Sequence, residues 1–521
     1  MINKTAIRSF SAKWHNVLGW WGAFVVIVWA ISGIAHPLMS WFGPKAAAFY
    51  PPKMTYTAEQ LSSISSITGS QNLHKAQVIK VVPFANKPLL QVTEQDGKQR
   101  RYFSLSTQQE LPNHDQAQAQ WLASYYTGRP TDEIESLEKI TEFSTHYPSV
   151  NRLLPVYKVQ FAGDDQLTAF VFTETNSLAS LVNGRRAIFA SVFQALHTWS
   201  WLDVAGTGRV LIIACFMLTL GAMAATGLSL VLLLPNRKIP DTSRRWHRVF
   251  GYILWLPLLG WSASGFYHLL QSHYVDTSFG MRLSPPANLV ELNISNELEN
   301  VVGNKDISAI SLVSGAQDTF YFRLSVLPKT DGTMLSDEQR FAGRPTEASA
   351  MYIHAGSGRV STLTDAEFSR YWALQFSGLD ESLMSHQRLV THFGPGYDFR
   401  NKRLPVWQFD FNDENGQRMF IDPVTGMLVD QNRTIDRAES WSFSILHKWN
   451  MLTPLVGRQI RDVMIVAVLL LCIVSSAVFG GIVLWNNRKL KKRRSNPLQL
   501  NQRQFKKARP EQQDAQPSSG A

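Results

Sequence analysis

The sequence predicts an α-helical membrane protein, a four-helix transmembrane bundle with an internal duplication, that carries two α+β domains outside the membrane. Three observations predict this fold class: four long apolar segments, the recurrence of the motifs around them, and two long polar segments between them. A helix of about 20 apolar residues crosses a hydrocarbon core of about 30 Å. The hydrophobic content of 45% hides these spans because the polar segments dilute them.

The first and third apolar segments are similar along their whole length. KWHNVLGWWGAFVVIVWAISGIAH at 13–36 recurs as RWHRVFGYILWLPLLGWSASGFYH at 245–268. Each copy has a histidine near either end, namely His15 and His36 in the first copy and His247 and His268 in the second. These two histidines are 21 residues apart, which is about 31 Å at the helical rise. We therefore expect each copy to span the membrane with an imidazole at either face.

The second and fourth apolar segments follow another repeated motif. LHTWSWL at 196–202 corresponds to LHKWNML at 446–452, so His197 corresponds to His447. A long apolar run begins shortly after each motif. These two runs complete the four predicted spans.

Basic residues mark one side of the membrane. Three clusters adjoin the span ends: Lys4, Arg8 and Lys13; Arg237, Lys238, Arg244 and Arg245; and RKLKKRR at 488–494. Because such clusters stay in the cytoplasm, we expect both termini to be cytoplasmic and both long polar segments to face outward. The net charge of +11 is therefore a topology signal, and we expect the lipid bilayer, and no nucleic acid, as its partner.

These boundaries divide the chain into seven segments. They are the N-terminal cytoplasmic end and first span (1–42), the first outward domain (43–195), an interfacial helix and the second span (196–236), a cytoplasmic loop and the third span (237–272), the second outward domain (273–445), an interfacial helix and the fourth span (446–487), and a basic cytoplasmic tail (488–521). The tail is rich in Gln, Pro, Ser and charge from about residue 495, which predicts disorder there.

The outward segments are predicted to be two α+β modules, one after each odd-numbered span. Short strands are expected at 71–107 and 152–178 in the first, and at 322–327, 350–360, 406–413 and 417–429 in the second. A helix is expected near 114–126 and near 364–376. The segments also share motifs: RLLPVYKVQF at 152–161 matches KRLPVWQFDF at 402–411, and THY with His146 matches THF with His392.

The cysteines and missing motifs restrict the cofactors. Cys215 and Cys472 both lie in apolar spans, and no CxxCH motif is present, so any haem would be bound noncovalently. The sequence also contains no GxGxxG-led nucleotide fold and no Walker motif. Reducing equivalents would therefore come from outside the chain.

The repeated WHxxxG, LHxW and LPVY or LPVW motifs, together with the DPVTG hairpin and the basic span ends, resemble the PepSY-associated transmembrane helix proteins. These are iron-regulated inner-membrane proteins of Gram-negative bacteria that include haem-containing ferrisiderophore reductases. The resemblance implies two periplasmic PepSY-like modules and a membrane-bound ferric (siderophore) reductase with haem b. Its acceptor would be a ferric siderophore or another periplasmic acceptor, and its donor a quinol or a cytoplasmic flavin reductase.

Six recurring histidines are the candidate axial ligands of haem iron: His15, His247, His36, His268, His197 and His447. Two neutral imidazoles from facing helices can hold a haem iron from both sides. His15 and His247 should meet on the cytoplasmic side, because parallel repeats relate the two halves by an axis along the membrane normal. The four outward histidines permit one haem or two, so two or three haems are expected in all.

Other interpretations stay open. A copper or zinc site would gather its ligands on one side, whereas these histidines are divided between both membrane faces. His146 and His392 are expected to be structural or substrate-side residues. The alternative function is a non-haem PepSY ligand-binding or regulatory membrane protein. Glycines at 19, 33, 251 and 265 are expected to permit close approach of helices or of a flat ring.

Overall fold

The computed structural model describes residues 4–494 except 58, 71–72, 74–75, 95–96, 235–238, 277–281, 286–306, 327–349 and 395. The chain divides into two compact units. The helical unit comprises Met1–Pro37, Val192–Leu270 and Ile445–Ala521, and the β unit comprises Leu38–Ser191 and Gln271–Ser444. The predicted disorder beyond residue 495 and the basic residues Arg237 and Lys238 fall outside the described residues.

Within the described ranges, four helices are long and apolar enough to span a membrane. They are Lys4–Trp41, Thr207–Leu233, Thr242–Tyr274 and Asn450–Lys489, here called spans 1 to 4. Span 4 is not uniform. Its Thr453–Ile473 segment is α-helical except at Gly457, whose φ of 77° and ψ of 162° mark a kink. Val474–Gly480 forms a π-helical turn, and Gly481–Arg494 is α-helical again. The basic run at 488–494 forms the end of this last helix. Lys and Arg have a high helix propensity, which agrees with this conformation.

The four spans pack around a shared apolar centre. Val26, Leu220, Leu254 and Cys472, one from each span, are all buried in a single cluster. The glycines expected to permit close approach lie against neighbouring spans. A Cβ atom on Gly19 would lie 3.1 Å from Leu484, and one on Gly265 would lie 3.0 Å from Met217. Small residues at these positions let the helices approach each other.

The outer surface of the helical unit is apolar. Large apolar side chains on the spans are exposed, for example Trp21 at 63%, Leu232 at 71% and Leu470 at 50%. A soluble protein rarely exposes a contiguous apolar surface of this kind, whereas a bilayer covers it. The chain is a multi-pass membrane protein, with the lipid bilayer as its partner.

The described residues of the β unit form three antiparallel sheets. Its strands are β1 Ala76–Phe84, β2 Lys87–Glu94, β3 Arg100–Ser104, β4 Ile134–Ile140, β5 Val156–Phe161, β6 Thr168–Phe172, β7 Ser177–Val182, β8 Ile307–Ser314, β9 Phe320–Val326, β10 Met351–His354, β11 Val360–Ser361, β12 Met384–Val390, β13 Val406–Phe411, β14 Arg418–Ile421 and β15 Leu428–Asn432. The sheet orders are β11-β10-β9-β8-β1-β2-β3, β4-β5-β6-β7 and β12-β13-β14-β15.

The seven-stranded sheet contains strands from both long polar segments. Strand β1 from the first segment pairs with β8 from the second, with Ile79 opposite Leu312 and Lys80 opposite Ser311. The sequence predicts two α+β modules, one after each odd-numbered span, and it does not predict this strand pairing between them. This pairing has a physical reason. Without it, β1 and β8 would each leave unpaired backbone N–H and C=O groups at a sheet edge, and the two edges supply hydrogen-bond partners for each other.

Each half of the β unit also carries a helix against its four-stranded sheet. His114–Thr127 and Asp365–Ser377 are these helices, as the sequence predicts. Both end at a glycine in the left-handed conformation, Gly128 and Gly378, which a residue without Cβ adopts at no steric cost. The helix Glu59–Ser70 was not predicted. Its serine-rich sequence gives a weak helical signal.

Short helical turns lead from the β unit toward spans 2 and 4. Gly184–Phe193 and Thr434–Ser442 are α-helical, and each is followed directly by a π-helical turn, Gln194–Thr198 and Phe443–His447. A residue with positive φ, Trp199 or Trp449, lies just beyond each turn. The two turns carry His197 and His447.

Candidate functional site: two histidine pairs in the helical unit

The first histidine pair consists of His15 from span 1 and His247 from span 3. The sequence repeat predicts that these residues meet, and their ring centres lie 6.1 Å apart with the planes tilted by 55°. Glycines provide room beside both rings. A Cβ atom on Gly227 would lie 3.3 Å from Cε1 of His15, and one on Gly480 would lie 3.5 Å from Cε1 of His247.

The Nδ1 atoms of the first pair are both oriented by a neighbouring span. Nδ1 of His247 lies 3.3 Å from the carbonyl oxygen of Ser475. Nδ1 of His15 lies 3.2 Å from Oγ1 of Thr226, and that hydroxyl donates its own proton to the carbonyl of Ala222 at 2.6 Å. Both oxygens are therefore acceptors, which places the imidazole proton on Nδ1 and the lone pair on Nε2.

The second histidine pair consists of His197 and His447 on the two π-helical turns. Their ring centres are also 6.1 Å apart, and the planes are nearly perpendicular at 83°. A π-helical turn inserts one residue into a helix and is frequently found at functional positions. Here it places the corresponding histidines of the two halves side by side.

Serine hydroxyls orient the second pair in the same way. Oγ of Ser32 lies 3.1 Å from Nδ1 of His197, and Oγ of Ser264 lies 3.3 Å from Nδ1 of His447. Ser264 donates its proton to the carbonyl of Gly260 at 2.7 Å, so its oxygen accepts from the imidazole. Ser32 and Ser264 occupy equivalent positions in the two copies of the repeated segment, 13–36 and 245–268. The sequence alone gave them no role.

The two pairs lie at opposite ends of the bundle. His15 and Ser32, which contacts the second pair, are 17 residues apart on span 1, and this is about 25 Å at the helical rise. Basic residues adjoin both pairs. Arg244 and Arg248 flank His247, while Arg209 donates to the carbonyl of Thr198 at 3.0 Å, one residue beyond His197.

Both pairs fit two axial ligands of one haem iron. A metal-bound imidazole nitrogen lies about 2.0 Å from the metal and about 1.1 Å from its ring centre, so two axial imidazoles have ring centres about 6 Å apart. The observed separation is 6.1 Å in both pairs. Metal-bound histidines also almost always donate their other ring N–H to a protein acceptor. All four rings have such an acceptor.

The two span-end histidines, His36 and His268, are neighbours of the second pair. The ring of Phe193 lies 5.8 Å from that of His36 and stacks 4.5 Å from that of His197. Burial, followed by electrostatic interactions with His197, Lys448, His268 and His36, lowers the pKa of His447 to about 3. His447 is therefore neutral at physiological pH, the form that binds metals.

The remaining predicted histidines lie elsewhere. His146 and His392 are both exposed in loops of the β unit, so they do not join either pair. Within the described ranges, no group of three or more His, Cys, Asp or Glu side chains is placed to hold a metal ion. This finding argues against a copper or zinc centre of that kind among those residues, whereas axial haem ligation needs only two protein ligands.

The fold and these sites define a multi-pass membrane protein that combines a four-span helical unit with a β-sheet unit. Residues 64–356, more than half of the chain, match the family described as "PepSY-associated TM region". The chain belongs to this family, which confirms the resemblance drawn from the repeated motifs. No curated protein matches the chain.

Proposed function

We propose that this protein is a haem-b-containing reductase of the bacterial inner membrane. It would pass electrons from a quinol or a cytoplasmic flavin reductase to a periplasmic Fe(III) acceptor, a ferric siderophore in the first instance. The observation that carries the proposal is the pair of equal ring separations, 6.1 Å at each end of the bundle. Four oriented Nδ1 atoms support it.

The proposed orientation rests on charge. The basic clusters beside the spans favour cytoplasmic termini, so the β unit would be periplasmic. The His15 and His247 pair would then lie on the cytoplasmic side, and the His197 and His447 pair on the periplasmic side. A haem b held by each pair would supply reversible one-electron chemistry at its iron.

The residues of the chain have separate roles in this proposal. The four histidines bind iron through Nε2. Thr226, Ser32, Ser264 and the carbonyl of Ser475 hold the imidazole rings in the required tautomer, as outer partners of metal-bound histidines generally do. The apolar side chains of the bundle keep water from the ligands, and Arg209 and Arg248 offer positive charge for the propionates.

The test is spectroscopy on the full-length protein purified in detergent after expression with sufficient haem. We expect two haem b per chain by pyridine haemochrome assay and a low-spin spectrum typical of two imidazole ligands. The double variant His146→Ala, His392→Ala is the matched control and should keep both haems. Protein without Soret absorbance would reject the reductase and favour the alternative, a PepSY ligand-binding or regulatory membrane protein.

A further inference from the structure

The β unit contains a cavity of about 400 Å³ to which the proposed function assigns no role. Its wall combines apolar side chains, among them Val78, Leu154 and Met427, with charged ones. Pockets for small molecules in proteins have this composition and a volume of about 300–1,000 Å³. The cavity therefore has the size and lining of a ligand site.

Arg282 is the unusual residue of this wall. Its Nε and Nη2 atoms are buried and have no hydrogen-bond partner within the described part of the chain. The guanidinium lies 5.9 Å from the ring centre of Phe172, which also lines the cavity. Nε and Nη2 form the edge of the guanidinium that binds a carboxylate or phosphate with two parallel hydrogen bonds.

The neighbouring charges do not neutralise Arg282. Glu174 is bonded to Arg403 and lies 3.1 Å from Nζ of Lys80. Asp422 lies 2.6 Å from the other terminal nitrogen of Arg403. Asp430, the other carboxylate near Arg282, is paired with Arg152 at 2.9 Å. Each nearby carboxylate thus already has another cation as its partner, and an unpaired buried charge is costly. An anion in the cavity would remove this cost.

Two further buried polar groups have no hydrogen-bond partner in the described part of the chain, and one of them lines the cavity. Oγ1 of Thr93 is buried, lines the cavity and makes no hydrogen bond within the described residues. Thr93 itself is only 2% exposed. The hydroxyl of Tyr397, which is not part of the cavity wall, is also buried and makes no hydrogen bond to a described residue. Buried polar groups are normally satisfied, so several unsatisfied groups around one cavity indicate an absent ligand.

We propose that this cavity binds a small organic anion. Its carboxylate would lie on the Nε and Nη2 edge of Arg282, with Thr93 as a further hydrogen-bonding group. Its apolar body would lie against Phe172, Leu154 and Met427. This site is independent of the histidine pairs.

The experiment measures ligand binding by thermal unfolding of the detergent-purified full-length protein. The probes are acetate, benzoate, 3-phenylpropionate and citrate, each compared with chloride at equal ionic strength. At least one carboxylate should raise the unfolding temperature saturably. Arg282→Gln should weaken that binding at least tenfold, whereas Arg359→Gln, which changes an exposed arginine of the same unit, should leave it unchanged.

A second measurement separates ligand binding from a structural role. Without ligand, Arg282→Gln should unfold no more easily than the wild type, because it removes an unpaired buried charge. Arg403→Gln should unfold much more easily, because it breaks two buried ion pairs. The proposal is wrong if no probe stabilises the wild type, or if Arg282→Gln destabilises the protein as much as Arg403→Gln. Haem content, measured in parallel, reports separately on the proposed reductase.

Discussion

The choice among His36, His268, His197 and His447, which lie at one end of the bundle, gives the sharpest prediction. The sequence permits several ligand pairs, whereas the structure brings His197 and His447 to a ring separation of 6.1 Å and places Phe193 between His36 and His197. We predict that His197→Ala and His447→Ala each remove one haem. His36→Ala and His268→Ala should retain both.

The expected magnitude follows from the number and separation of the pairs. Two pairs give two haems per chain, so loss of one pair should halve the haem content. The other pair should be unaffected, because about 25 Å of helix separates them. An iron that keeps a single imidazole would also change from a low-spin toward a high-spin spectrum if any haem stays bound.

The assay is pyridine haemochrome content per chain, with optical and paramagnetic resonance spectra of each purified variant. His15→Ala and His247→Ala serve as the parallel series for the first pair and should also leave one haem. Wild-type haem content and spectra in both His197→Ala and His447→Ala would refute the reasoning. Loss of haem in His36→Ala or His268→Ala alone would assign the ligand to the span ends instead.

Three further predictions address the surroundings of these sites. Thr226→Val should weaken haem retention at the first pair about 10- to 100-fold, measured as transfer to apomyoglobin, whereas Ser229→Ala on the same span should not. Glu174→Gln should lower the free energy of unfolding at pH 7 by about 3 kcal/mol, because Arg403 and Lys80 overcome the effect of burial and hold the pKa of Glu174 at about 2. Since this pKa is depressed, the stabilisation is present above pH 4.5 and is lost as the pH falls toward 2, so the two proteins should converge in acid denaturation; a constant difference would contradict the assignment. Addition of a ferric siderophore to the reduced protein should reoxidise it and release Fe(II) to a ferrous chelator, whereas stable reduction with rapid oxidation by another periplasmic acceptor would exclude the siderophore.

The sequence predicted those features that depend on neighbouring residues. The spans are visible as apolar runs, and strands such as Val406–Phe411 as β-branched or aromatic segments next to turn residues. The meeting of His15 and His247 was also predictable, because a repeat with constant spacing places equivalent residues at equivalent depths in the membrane. Spacing within one segment was sufficient for the spans and strands, whereas the histidine pair required comparison of two segments.

The rest depends on contacts between distant segments. Pairing of β1 with β8 joins strands more than 200 residues apart, and nothing in either strand specifies its partner. Thr226 and Ser475 contact the imidazoles of His15 and His247 because of how each span is rotated about its own axis. The pattern of apolar residues defines that rotation poorly. Arg282 gave no sequence signal at all, because its unusual feature is that Nε and Nη2 find no hydrogen-bond partner among the residues that the structure describes.

The hydrogen bonds also explain why two halves are needed. Each half orients its own histidines: His15 contacts Thr226 and His197 contacts Ser32 within the first half, and the second half repeats this with its own residues. Each short ring separation, however, joins one histidine from either half. A single half would therefore present oriented imidazoles without an opposing histidine, and the two ligands of each proposed haem would be present only when both halves pack together.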